Sequence, residues 1–255
     1  MAAAHIEAEI ELEGKATTEA LALGSVFLQE AHRSLYGRLR EEDRVSDAGR
    51  VIVPGGLREV DVGVGRHQPP TWRAVPRFLA RMDEAYGRLK GVDAVLYTIA
   101  CAHHRTMWTH PFEDGNGRAV RLQTHCAMHL LSGGLWSVNR GLARDRQRYD
   151  LMLDETDSMR QGDLDGRGNL SEKMLWQWCR YFLDTCADQV GFMTRISRMT
   201  GLEERTARKV ISRLLKDGLL RSQGHKDVLK LAFPLESLSV LFPNLYPEAA
   251  AAVID

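Results

Sequence analysis

The chain has 255 residues, 44% of them hydrophobic and 27% charged, with 34 Lys and Arg balanced by 34 Asp and Glu. This is the composition of an ordinary soluble globular protein with room for a substantial core in one or two domains, and it excludes fibrous, low-complexity and repeat architectures. No apolar run reaches membrane-spanning length, and the opening MAAAHIEAEIELEGK is too acidic to be a secretory signal, so a cytoplasmic protein with no membrane partner is expected.

Nearly all of the chain reads as helix. Val26, Leu28, Ala31, Leu35 and Leu39 recur at helical spacing and predict an early helix. Residues 57–68, LREVDVGVGRHQ, instead alternate Val60, Val62 and Val64 with glycines at 63 and 65, which predicts a short β-hairpin. Val75, Phe78, Leu79, Met82, Tyr86 and Leu89 return to the helical period. Residues 92–107 read as a buried helix, and 117–131 as another, stopped by Gly133 and Gly134. Cys101, Cys126, Cys179 and Cys186 show no closely spaced pair and are expected to be reduced thiols, the first three on apolar helix faces.

Between the last two helices residues 110–121 read HPFEDGNGRAVR. Gly115 and Gly117 let backbone amides converge, and such a turn opening a helix favours an anion through its free N–H groups and the helix dipole. Arg118 and Arg121, one turn apart, share a face and can grip phosphate oxygens, while Asp114 can carry a hard divalent cation. His110 is the group in the run that ordinarily titrates near neutrality. The run therefore offers a proton acceptor, charge neutralisation and a phosphate cradle, the requirements of attack on phosphorus. His103, His104 and His110 lack the spacing of a ligand helix for a metal.

This run resembles the Fic signature HPFx(D/E)GNGRxxR at every specified position. The resemblance implies a mainly α domain with two central helices meeting at the loop, and an adenylyltransferase that moves AMP from ATP, with Mg2+, onto a Ser, Thr or Tyr hydroxyl of a target protein. Position by position it implies that His110 is the general base, that Asp114 holds the magnesium ion and that Asn116 places the α-phosphate. The turn at Gly115 and Gly117 becomes the anion hole, Arg118 and Arg121 hold the β- and γ-phosphates, and Phe112 is a buried anchor. His103 matches a histidine often found seven residues before the motif, with a packing and hydrogen-bonding role. The hairpin bearing Val60, Val62 and Val64 becomes a flap that docks the target segment through main-chain hydrogen bonds. ARDRQRYDLMLDETD resembles the Fic helix with a tyrosine near the base, so Tyr149 either contacts adenine or packs along its helix with Leu153. Fic enzymes are commonly restrained by a helix bearing (S/T)xxxE(G/N), of which this chain has no clean copy. Restraint by a separate inhibitory protein, by a diverged element, or none at all all stay open.

Farther on, GDLDGRGNLSE is no calcium loop, because Arg167 and Met174 stand where oxygen ligands are needed; it reads as a surface loop with Ser171 capping a helix that begins at Glu172. Residues 191–230 hold ten Lys or Arg against four acids, a local charge of +6 in a chain of net zero. Within them TGLEERTARKVISRLLKDGLL resembles the helix-turn-helix of bacterial winged-helix regulators, followed by a two-stranded wing over 219–234. That resemblance implies DNA contacts at Arg205, Arg208 and Lys209, the alternative being docking of a protein partner. The expected organisation is a Fic domain with an N-terminal helical extension over 1–188 and a winged helix with its tail over 189–255. Two other readings remain beside protein AMPylation: a transcriptional regulator using the domain as a nucleotide sensor, and a Fic enzyme using another nucleotide or phosphate donor.

Overall fold

The computed structural model describes residues 1–87, 92–134, 136–166, 168–199, 220–221 and 230–231. The helices in chain order are α1 (Ala2–Lys15), α2 (Glu19–Ala22), α3 (Ser25–Tyr36), α4 (Val75–Tyr86), α5 (Val92–Thr109), α6 (Asn116–Ser132), α7 (Val138–Arg144), α8 (Arg146–Thr156) and α9 (Glu172–Met199). No helix among the described residues is long and apolar enough to cross a membrane.

Helix α6 lies at the centre, packed by α1, α2, α3, α5 and α7, and α9 closes the far side against α5, α7 and α8. Its sequence explains the position. Small or apolar residues on most of its faces (Ala119, Val120, Leu122, Cys126, Ala127, Met128) are all buried, so neighbours can approach from several directions. The main core joins Leu35, Ile99, Leu122 and Met128 to Trp178, whose indole N–H donates to the Ala100 carbonyl at 2.7 Å. A smaller core of Leu28, Val75, Leu79, Met82, Ala119 and Val120 lies under the motif loop and receives Phe112, which is fully buried.

Helices α3 to α6 follow the expected periodicities, except that Val26 is 75% exposed while the buried face of α3 holds His32 and Tyr36, Leu39 is buried beyond the end of α3, and Leu89 lies outside the described residues. Gly133 ends α6 at φ 58. Ser171 caps α9 as expected, its hydroxyl accepting from the Met174 N–H at 3.1 Å. Helix α9 then runs on through residue 188, where the division between domains was expected. Cys126, Cys179 and Cys186 are buried thiols and Cys101 is a half-buried one, its Sγ 3.6 Å from that of Cys179.

The hairpin expected over 57–68 is not formed. Only Val64 and His67 pair, as a single antiparallel bridge about a tight turn, and Val60 and Val62 lie in irregular chain. The reason is competition for carbonyls: the buried Arg58 guanidinium takes the Val60 carbonyl at 2.9 Å, and that of Pro70, which a strand partner would otherwise use. At the C-terminal end, Leu220–Arg221 and Lys230–Leu231 pair antiparallel within the span read as a wing. Arg205, Arg208, Lys209 and the helix-turn-helix reading of 200–219 lie outside the described residues.

Candidate active site

The motif loop leaves α5 through a constrained residue. His110 has φ 48, a left-handed conformation costly for a non-glycine residue, yet its N–H still bonds the Thr106 carbonyl at 3.0 Å. Arg58 holds this conformation. Its side chain is fully buried and donates through Nε to the His110 carbonyl at 2.7 Å, while its backbone N–H donates to the Pro111 carbonyl at 2.9 Å. Asn116 closes the loop onto Phe112, four residues before it: its Oδ1 accepts from the Phe112 N–H and its Nδ2 donates to the Phe112 carbonyl, both at 2.8 Å. Gly115 then turns the chain into α6 at φ 78, with Tyr36 packed where a side chain would stand. The amides of Asn116, Gly117 and Arg118, in the first turn of α6, have no carbonyl partner within the helix.

His32 supports the loop from α3. Its ring is stacked between Tyr36 and Phe112, at centroid distances of 4.3 and 4.0 Å. Nδ1 accepts from the Gly55 N–H at 2.8 Å, which leaves the proton on Nε2 to donate to the Asp114 carbonyl at 3.1 Å. Burial pushes its pKa from 6.5 down to about 4, so the neutral tautomer that makes both bonds persists at neutral pH. Above it, the Tyr36 hydroxyl donates to Asp114 Oδ2 at 2.6 Å and accepts from Arg118 Nη2 at 2.9 Å, and Arg118 also reaches Asp114 at 3.0 Å. Burial opposes the Asp114 charge, but Tyr36, Arg118 and the Gly115 amide outweigh it and hold the carboxyl below its usual range. An ionised carboxylate that is 44% exposed beside the N-terminus of α6 is of the type that could hold a magnesium ion.

His110 Nδ1 lies 3.3 Å from the Met107 carbonyl, which can only accept, so Nδ1 carries the proton and Nε2 keeps its lone pair. Burial pushes the His110 pKa down to about 4, so the imidazole is neutral at physiological pH. Arg121 lies one turn along α6 from Gly117, and its charge acts on Tyr149, His103 and His5. Tyr149 is buried, its hydroxyl 2.8 Å from His103 Nε2, and His103 Nδ1 bonds Thr124 Oγ1 at 2.8 Å. Met1, just ahead of α1, meets Arg118 with Sδ 3.3 Å from Nη1.

At the C-terminal end of α5 opens a cleft of about 700 Å³ lined by Arg66, His67, Arg105, Trp108, Asp154 and Asp157. His67 Nε2 donates to the Trp108 carbonyl at 2.8 Å, and its Nδ1 meets Asp157 Oδ2 at 3.1 Å. Asp157 also accepts from the buried His104 Nε2 at 2.9 Å, so this one carboxylate ties the irregular loop to α5. Of the three valines, Val64 is exposed on this loop, and Val60 and Val62 are half-buried.

Sequence reasoning missed His32, Tyr36 and Arg58. The one signal for the first two was a polar and an aromatic residue four apart on the apolar face of α3. Arg58 gave none, since an arginine in an alternating segment reads as solvent-exposed.

Residues 22–128 match the sequence model of the Fic/DOC family. The fold is similar to that of a Fic domain-containing signaling protein from Bacteroides thetaiotaomicron, with 18% identity, a TM-score of 0.57, and 78% of this chain and 73% of that chain covered. It is also similar to a Fic family protein from Desulfovibrio desulfuricans, with 17% identity, a TM-score of 0.52, and coverage of 84% and 70%.

Proposed function

We propose that residues 22–128, which match the Fic/DOC family model, form a Fic domain, and that the chain is a protein adenylyltransferase, moving AMP from ATP onto a Ser, Thr or Tyr hydroxyl of a target protein. The observation that carries the reading is a neutral histidine placed one short loop away from a helix N-terminus flanked by two arginines. His110 Nε2 accepts the proton of the hydroxyl as its oxygen forms a bond to the α-phosphorus. The bond from that phosphorus to the oxygen bridging to the β-phosphorus breaks, and pyrophosphate leaves with the electron pair. Arg118, Arg121 and the first amides of α6 meet the charge on the phosphates, while Asp114 would hold a magnesium ion supplying further neutralisation. Asn116 sets the approach of the loop to the α-phosphate by fixing its shape, and the acceptor segment enters along the cleft lined by Arg66 and His67.

The test is transfer of label from α-labelled ATP with magnesium, using the purified chain and a lysate, with His110→Ala as control. Label on a protein band that vanishes in the variant supports the reading. Label from another nucleoside triphosphate but not from ATP would replace the donor, and retained labelling in His110→Ala would remove the assigned base. The excess positive charge of 191–230 supports a second element, docking of DNA after α9. Binding to duplex fragments should then weaken steeply with salt, and binding that ignores salt would instead favour a protein partner.

A further inference from the structure

Helix α1 presents His5, Glu9 and Glu13 at four-residue spacing, and α6 presents Arg121, His125 and His129 at the same spacing. The two helices pack together, so the stripes face each other. At their far end three donor atoms converge. Glu13 Oε1 lies 2.9 Å from His125 Nε2 and 3.1 Å from His129 Nδ1, and the three ligand atoms all lie within 4.8 Å of one another. A fourth candidate donor, Glu9 Oε1, is 3.7 Å from His125 Nε2.

We propose that Glu13, His125 and His129 form a zinc site that clips α1 to α6. Ligand bonds of about 2.0–2.2 Å at tetrahedral angles separate neighbouring ligand atoms by about 3.3 Å, so a small spreading of the observed triangle admits the ion. Two imidazoles at i and i+4 on one helix present nitrogens to a common point, as in metal-binding helices. The donor set of two imidazoles and a carboxylate suits zinc over magnesium or calcium, which take oxygen ligands. Three protein ligands leave a fourth position, which the Glu9 carboxylate or water fills. The side chains lie between helices, with His125 11%, His129 18% and Glu13 22% exposed, so the ion has both shelter and an entry path. This site is one turn and more beyond Arg121 and uses no residue of the motif loop, and it does not depend on the proposed transfer reaction.

The competing reading is a carboxylate bridging two imidazoles by hydrogen bonds alone. To separate the two, the full chain is stripped with a chelator and titrated with zinc chloride by calorimetry, and with cobalt(II) for the visible absorption of a tetrahedral centre. One equivalent is expected to bind and to raise the thermal midpoint. Removing a ligand should cost at least the ten- to hundredfold in affinity typical of groups around a metal, so His129→Ala and Glu13→Gln should each weaken binding about a hundredfold or more. His67→Ala, away from the stripe, should bind as the parent does. Circular dichroism of each variant identifies any that fails to fold; His129→Gln, which keeps a polar side chain, then stands in for His129→Ala. Absence of stoichiometric binding, or unchanged binding in the folded ligand variants, overturns the site.

Discussion

Replacing His32 by Phe separates the two things that histidine does. The stack between Tyr36 and Phe112 survives, but the Gly55 N–H and the Asp114 carbonyl each lose their partner. An unsatisfied buried polar group costs about 1–3 kcal/mol, and the Asp114 carbonyl is only partly buried, so the sum at pH 7.5 should be about 2–4 kcal/mol. All five tryptophans precede residue 199, so their fluorescence follows unfolding of the helical region in urea, where a slope near 2 kcal/mol/M turns the loss into a midpoint shift of about 1–2 M. The penalty should also depend on pH. The folded pKa of His32 is about 4 against 6.5 when unfolded, so protonation favours the unfolded chain. The stability that neutral His32 confers is complete above pH 6.5 and is lost as the pH falls toward 4, by up to about 3 kcal/mol. Phe cannot titrate, so parent and variant should converge in acid. A midpoint shift under about 0.3 M at pH 7.5, or a penalty that stays constant down to pH 4, would refute the assigned bonding and tautomer.

The parent itself should lose stability between pH 6.5 and 4, because burial depresses His103, to about 3, and His110, to about 4, in the same direction as His32; urea midpoints across that range check it. Gly115→Ala and Gly133→Ala both place a side chain at positive φ, but the new Cβ meets Tyr36 Cε2 at 2.3 Å at residue 115 and open space at residue 133. Thermal melts should give about 1–2 kcal/mol for Gly133→Ala and about 2–4 kcal/mol for Gly115→Ala, with ATP affinity reduced in the latter alone. Arg58→Lys keeps the charge but cannot fork to the His110, Val60 and Pro70 carbonyls, so label transfer should fall at least about tenfold while calorimetric ATP affinity is retained.

The extent to which the site was legible follows from how far apart its parts lie in the chain. Loop 110–121 concentrates its chemistry within twelve residues, and helices α3 to α6 carry their own periodicity, so both could be read locally. The supports could not. His32 reaches Asp114 across 82 positions and Arg58 reaches His110 across 52, and neither contact leaves a trace in its own neighbourhood. The hairpin failed for the same reason in reverse: the valine alternation was real, but one buried guanidinium from residue 58 won the carbonyls that local pattern had assigned to a strand. Tyr149 shows a third case, where either reading was compatible with its helix and the buried bond to His103 appears only when α5 and α8 are brought together.

Arg58 also separates what can vary from what cannot. One side chain fastens the carbonyl of Val60 at the start of the loop, that of Pro70 at its end, and that of His110 beyond. The exposed stretch between the two loop anchors is thus relieved of any duty to place the histidine. Substitutions, insertions or deletions at 61–66 can alter the rim of the cleft at Arg66 while the backbone at His110 stays as it is. On the proposed transfer reaction, the range of acceptors in a lineage of such proteins would drift along this stretch, with residue 58 as the fixed point on which that freedom depends.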